Sequence, residues 1–256
     1  MSPDPDLVRA ADRNFIGSYE KLTQHQPAGS VGRFGTLTAF VTGLPVSFLN
    51  GCVASGRAAA TEMGEAVDWL NERGYPFEIF IAEDFAAGRE PWLAARGFER
   101  SRWAMPAMWI QPPAEPPPAR PGVAVRAVDD RASVDELLAM QIGAGMPEPI
   151  ARGMFAASFV EDPDVRIFTA YLDGRPVGNS IAIRTGDVSG VYAVGTLPGA
   201  RRRGVGTAAT WAAVAAGHEW GCAAVVLQSS EMGYPVYLAM GFAVLNRYAV
   251  FDRWPG

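Results

Sequence analysis

Six of the twelve residues from Gln111 to Gly122 (QPPAEPPPARPG) are proline, and no other stretch limits the fold as strongly. Each proline fixes φ and removes a backbone donor, so neither a helix nor a central strand continues through the segment. A semi-rigid linker at 111–122 is the expectation, with one domain at 1–110 and a second at 123–256. A proline-rich ligand for some other domain is the alternative, and it rests on composition alone.

The same succession of segments stands on both sides of the prolines. After the linker, Val205–Trp220 reads as an Ala-rich helix closed by Gly221, then the apolar run AAVVLQ, a loop, Pro235–Phe242 and a strand-like tail. Before it, Ala58–Arg73 reads as a helix closed by Gly74, then FEIFIAE, a loop, Pro91–Phe98 and the tail ERSRWAMPAMWI. Proline and Gly-Phe keep one spacing in both copies, and proline suits the first turn of a short helix. Upstream of the second helix, VAVRAV at 123–128 precedes a helical region at about 132–159. Strand patterns follow at 166–172, 177–184 and 188–197, the first pair joined by Asp-Gly, which favours an antiparallel meander. The first half offers TLTAFVTG and VSFLNGCVAS in the same place. The expected class is α+β, given twice: two units, each a mixed, mostly antiparallel twisted sheet flanked by helices.

Composition narrows the partners. With 49% hydrophobic and 19% charged residues the chain can bury a core. No apolar run approaches the roughly eighteen residues of a membrane span, and the N-terminus MSPDPDLVRAADRN has no apolar signal region, so a cytoplasmic protein is expected. A net charge of −5 disfavours a nucleic-acid partner. Cys52 and Cys222 form no CxxC, and His25 and His218 are the only histidines, so no metal site is expected. Lys21 is the single lysine beside twenty-one arginines, which makes any dense arginine cluster informative.

One such cluster exists: VGTLPGARRRGVGT, from Val194 to Thr207. A strand ends, three arginines follow, and Gly204-Val205-Gly206 opens a helix with no acid in its first turn. Unpaired amides at a helix N-terminus, the positive end of its dipole and glycines that admit close approach together make an anion site. The dinucleotide fingerprint GxGxxG and the P-loop Gly-Lys-Ser/Thr are both absent.

Arg201-Arg202-Arg203-Gly204-Val205-Gly206 resembles motif A of the GNAT acetyltransferases, Gln/Arg-x-x-Gly-x-Gly/Ala, and Leu227–Phe242 resembles motif B, ending in Tyr-x-x-x-Gly-Phe. The resemblance covers about 122–251. It implies an N-acetyltransferase that takes acetyl-CoA as cosubstrate, with Arg201–Gly206 holding the pyrophosphate and the backbone of Val194, Gly195 and Thr196 on a splayed strand pairing with the pantetheine arm. Tyr237 is implied as the general acid. A neutral phenol, with a pKa near 10, protonates a departing thiolate whose thiol has a pKa of about 8.5. Thr207 either caps the helix or touches a phosphate, and Ser230 either contacts CoA or stabilises its turn.

No carboxylate stands in 188–197, leaving Glu231, Asp187 or a water chain as the base that deprotonates the amine. The first half has Ser55-Gly56-Arg57-Ala58-Ala59-Ala60 where the arginine-glycine loop should be, and Leu93 opposite Tyr237. It resembles a degenerate unit, whose Trp92, Phe98, Trp103 and Trp109 read as packing. The expectation is acetyl transfer to a primary amine on a small molecule or peptide, with no metal. A homodimer is left open, and two rivals stand beside this reading: a non-catalytic acyl-CoA-binding regulatory or scaffold protein, and an enzyme for a longer acyl-CoA.

Overall fold

The computed structural model describes residues 4–113 and 117–253; residues 114–116 of the expected linker lie outside the described residues. The described chain starts with a helix the sequence reading did not foresee, α1 (Pro5–Gln24). There follow β1 (Ser30–Phe34), β2 (Leu37–Val41), β3 (Gly51–Ala54), α2 (Ala60–Arg73), β4 (Glu78–Ala82), α3 (Glu83–Ala86), α4 (Glu90–Ala94), β5 (Glu99–Arg100) and β6 (Met105–Ile110). Beyond the prolines come β7 (Val123–Val128), α5 (Arg131–Gly143), α6 (Glu148–Met154), β8 (Val165–Leu172), β9 (Arg175–Thr185), β10 (Val188–Thr196), α7 (Val205–Glu219), β11 (Ala224–Gln228), α8 (Tyr234–Ala239) and β12 (Ala243–Asp252). The class is α+β, as expected. The helical region expected at 132–159 is interrupted where Gly145 takes a left-handed φ of 97° ahead of Pro147.

The chain divides into two compact units, and they are not its contiguous halves. One, here the C-terminal unit, takes in the chain up to Phe15, Trp109–Leu227 and Val236–Ala243. The N-terminal unit takes Ile16–Met108, Gln228–Pro235 and the chain from Val244 onward. The expected 123–256 domain therefore loses its last strand: β12 pairs antiparallel with β4, from Tyr248↔Ala82 to Asp252↔Glu78. Its Ala249 and Phe251 belong to the core that Met63, Ala66, Val67 and Leu70 of α2 form over Ala39, Cys52 and Ile79. Burying such side chains stabilises by about 1.5–3 kcal/mol for each large one, which ties the chain's end to this sheet.

Within the N-terminal unit β1, β2 and β3 pair antiparallel and β3 pairs parallel with β4. Within the C-terminal unit β7, β8, β9 and β10 form an antiparallel meander, and β10 pairs parallel with β11. The β8–β9 turn holds Asp173 and Gly174 at φ 50° and 78°, the paired left-handed geometry that matches strand twist. Helix α7 packs Val205, Ala208 and Ala209 on Val123, Ala170 and Leu172. Its small residues permit close approach: a Cβ on Gly217 would stand 2.6 Å from Val225.

Asn14 explains why the start of α1 belongs with the later strands. It is fully buried, donates to the carbonyls of Ile183 (3.0 Å) and Val188 (3.3 Å), and accepts from the Tyr192 hydroxyl at 2.6 Å. Gly190 leaves the room, since a Cβ there would collide with Asn14 Oδ1.

Candidate functional site

Strand β10 is hydrogen-bonded on both sides for only part of its length. It pairs with β11 at Val188, Ser189 and Gly190, so among the described residues Val191–Thr196 has no ladder partner on that side. Toward β9 the register passes from Tyr192↔Ile181 to Gly195↔Asn179, setting Ala193 and Val194 against the single residue Ser180. This is a β-bulge, with Ala193 at φ 48°. Val194, Gly195 and Thr196 therefore lie together on a bent strand end whose backbone is open on the β11 side.

Two residues that the sequence reading missed hold the bulge. Asn179, buried, donates its amide to the Ala193 carbonyl and accepts from Gln141 Nε2 of α5 at 2.6 Å. Glycine is required opposite: a Cβ on Gly195 would stand 2.7 Å from Asn179 Oδ1, and one on Gly178 would stand 2.7 Å from the Gly195 carbonyl. Both polar side chains are spent on one another and on the bent backbone, so the bulge is specified by a buried network.

The loop after β10 turns back into α7. Arg201 Nε approaches the Thr196 carbonyl at 3.4 Å, Arg202 lies at φ 60° and Gly204 at φ 87°. A left-handed arginine costs about 1 kcal/mol, and such strain collects at functional loops. The first helical bond runs from Ala208 N–H to the Gly204 carbonyl at 2.9 Å, which leaves the amides of Val205, Gly206 and Thr207 without intrahelical acceptors. No acid stands in the first turn of α7 and no side chain caps it, so Thr207 is not a cap. Arg203 pairs with Asp173 at 3.1 Å, with both side chains more than half exposed. These are the features an oxygen-rich anion needs: free amides converging at a helix start, cations around them, and no resident carboxylate in the turn.

Arg120, from the proline-rich segment, is the third residue the sequence reading missed. A Cβ on Gly204 would stand 2.8 Å from Arg120 Cδ, so its side chain lies along the loop's opening glycine. The placement is built locally: Val123 N–H donates to the Arg120 carbonyl, and Asp173 N–H donates to the carbonyl of left-handed Gly122. Four arginines thus gather near the start of α7.

Tyr237 is half-buried on α8, ring-to-edge with Phe242 (centroids 5.8 Å apart). Burial pushes its phenol up to about 12, against a smaller lowering by the Thr210 hydroxyl, so it keeps its proton throughout the physiological range. Thr210 sits in the second turn of α7 and is itself bonded to the Gly206 carbonyl at 2.9 Å, which places Tyr237 beside the same helix start as the arginine loop. Ser230 accepts from Gly233 N–H at 3.2 Å and shapes the turn into α8. Asp187 stands in the β9–β10 turn, seven residues before Val194, or roughly 23 Å of extended strand, too far to take a proton from a nucleophile at the bulge. Glu231 is exposed in the loop before α8.

The N-terminal counterpart has none of these features. Strands β3 and β4 stay paired through Ala54↔Ile81 with no bulge. Glu62, in the first turn of α2, accepts from Ala59 N–H at 3.0 Å and so fills the anion position with a carboxylate of its own. Leu93, opposite Tyr237 in the repeat, is fully buried. Phe98 is core, and Trp103 donates to the Ser229 carbonyl at 3.1 Å and packs edge-on against Tyr234.

A family model described as an acetyltransferase (GNAT) domain matches residues 118–234. No curated protein matches the sequence. Among solved structures, a GCN5-related N-acetyltransferase from Kribbella flavida is 20% identical over 96% of each chain, with a TM-score of 0.70. A GCN5-related N-acetyltransferase from Sphaerobacter thermophilus is 18% identical over 97% of this chain and 91% of its own (TM-score 0.60). A tandem GNAT protein from the clavulanic acid biosynthesis pathway is 14% identical over 100% and 98% (TM-score 0.59). At such identities the likeness is one of fold, and it extends over both halves of the chain.

Proposed function

We propose that the C-terminal half of the chain is a GNAT acetyltransferase domain, as the family match over 118–234 supports, and that it transfers the acetyl group of acetyl-CoA to a primary amine of a small molecule or peptide. The observation that carries the proposal is the pairing of an acid-free arginine-glycine helix start with a bulged strand end in one unit. The pyrophosphate is held by Arg201, Arg202, Arg203 and the amides of Gly204, Val205, Gly206 and Thr207, with Arg120 over the loop. The pantetheine arm runs along Val194, Gly195 and Thr196, and Ser230 is kept as a further CoA contact.

The amine nitrogen attacks the thioester carbonyl carbon directly, forming the C–N bond while negative charge collects on the carbonyl oxygen. Backbone donors at the bulge stabilise that oxygen because the bulge has freed them from the ladder. The C–S bond then breaks with its electron pair going to sulfur, and the proton shed by the amine passes to water or to Glu231. Tyr237 meets the departing sulfur. Since its pKa of about 12 exceeds that of a thiol, it acts chiefly as a hydrogen-bond donor to the thiolate. On this reading one of the two compact units works and the other has lost its cradle. The expected cytoplasmic location remains part of the proposal, and the homodimer stays open.

One observation favours the second reading, an acyl-CoA-binding protein without catalysis: β10 carries no carboxylate to serve as base. Thiol release from acetyl-CoA across a panel of amines decides between them. Release above the hydrolysis background with any amine supports the enzyme. Saturable CoA binding with no release from any acceptor supports the binding protein, and competition by longer acyl-CoA thioesters tests the acyl preference. The double variant Arg202→Glu/Gly204→Glu is expected to abolish CoA binding by calorimetry, and unchanged affinity would remove the assignment.

A further inference from the structure

A cavity of about 310 Å3 opens in the N-terminal unit at the carboxyl ends of the parallel strands β3 and β4, beside the start of α2. Strand carboxyl ends are where sheets with helical crossovers habitually take ligands. The inner wall is apolar, from Ala54, Met63 and Ile81, all buried. The rim carries Arg57, Arg89 and a single carboxylate, Asp84. Arg89 is fixed in place by donating to the Ala58 carbonyl. Among the described residues neither Arg57 nor Asp84 has an ion-pair or hydrogen-bond partner, so the rim presents two guanidiniums and one free acid around a cavity whose wall includes three buried apolar side chains.

The same residues exclude CoA from this cavity. The pantetheine arm needs parted strands, and β3 and β4 are paired through Ala54↔Ile81. A pyrophosphate needs free amides without a neighbouring carboxylate, and Glu62 already accepts from Ala59 N–H at the start of α2. The volume, about ten waters' worth, also suits a compact molecule rather than a nucleotide-bearing one.

We propose that the cavity binds a free α-amino acid with an apolar side chain. The carboxylate lies between Arg57 and Arg89, where a planar guanidinium pairs two oxygens at once. The ammonium faces Asp84, and the side chain fills the space lined by Ala54, Met63 and Ile81. The site is independent of the acetyl-transfer proposal, because none of these residues belongs to the C-terminal unit.

The test is calorimetric titration of the full chain with L-leucine, L-methionine and L-phenylalanine, compared with 4-methylpentanoate, which lacks the ammonium, and isoamylamine, which lacks the carboxylate. At least one amino acid binds one-to-one with a Kd of about 1 mM or tighter. Both truncated probes bind at least about tenfold more weakly, a loss of about 1.4 kcal/mol. Arg57→Ala, at an exposed position, weakens amino-acid binding by about tenfold or more while leaving CoA affinity unchanged. Gly88→Phe, which adds bulk at a cavity-lining glycine where a Cβ meets nothing within 4 Å, also weakens it. The proposal is overturned if none of the three amino acids binds at about 20 mM, if isoamylamine binds as tightly as leucine, if Arg57→Ala changes nothing, or if CoA displaces the amino acid.

Discussion

The two units start from one plan and diverge at one joint. In each, a strand pairs parallel with a second strand across a helix that begins between them. In the C-terminal unit the strand bends at Ala193–Val194, its far half is free of β11, and the helix opens with amides, arginines and no acid. In the N-terminal unit the strands stay closed and Glu62 caps the helix start. A resident carboxylate and a missing bulge, together with the loss of the arginine-glycine loop and of the tyrosine, separate the closed joint from the anion cradle. The sheet and the helix core do not have to change.

The comparison is broken most severely at Tyr237. Tyr237→Phe is expected to lower amine-dependent turnover by about a hundredfold or more with little change in CoA affinity, since only the hydrogen bond to the leaving sulfur is lost. Leu93→Met, at its buried counterpart, should leave turnover unaltered and cost less than about 1.5 kcal/mol in denaturant unfolding. Full activity for Tyr237→Phe across the pH range would remove its role.

Next in size is the bulge. Asn179→Ala takes the donor from the Ala193 carbonyl and leaves the buried Gln141 amide unpaired. A loss of about 1–3 kcal/mol in unfolding free energy is expected, together with a drop of roughly tenfold in kcat/KM. Wild-type kinetics in this variant would show that the bent strand end stands without its network.

How much of this was legible beforehand follows from what kind of pattern each feature leaves. The repeat of proline and Gly-Phe, the α7–β11 pair and the arginine loop are local, and spacing alone reveals them. The bulge is specified by Gln141 and Asn179, thirty-eight residues apart, and nothing in alternation marks a buried asparagine in a strand as a clamp. The β12 exchange was equally hidden, because an apolar strand pattern does not say which sheet receives it. Arg120 read as linker, since its position depends on the Gly122–Asp173 contact.

Smaller effects come from the edges of the comparison. Arg120→Ala should weaken CoA binding by about threefold and flatten its dependence on salt, because the contact is a partly exposed charge. Calorimetry at two ionic strengths checks this, and an unchanged salt slope would contradict it. In the N-terminal unit, burial raises the Cys52 thiol to about 12. Its native state therefore holds the proton above pH 9 while the unfolded chain releases it, so stability is full below pH 9 and declines toward pH 12 by up to about 1.4 kcal/mol per unit. Cys52→Ala should show a shallower decline in urea midpoints over that window.

The central claim is one acyl-CoA site, in the unit with the open strand. It is tested most directly by the stoichiometry of CoA binding to the full chain. One CoA per chain, lost in Arg202→Glu/Gly204→Glu and kept in Arg57→Ala, is the predicted result. Two per chain, or one that survives the double variant, would contradict it.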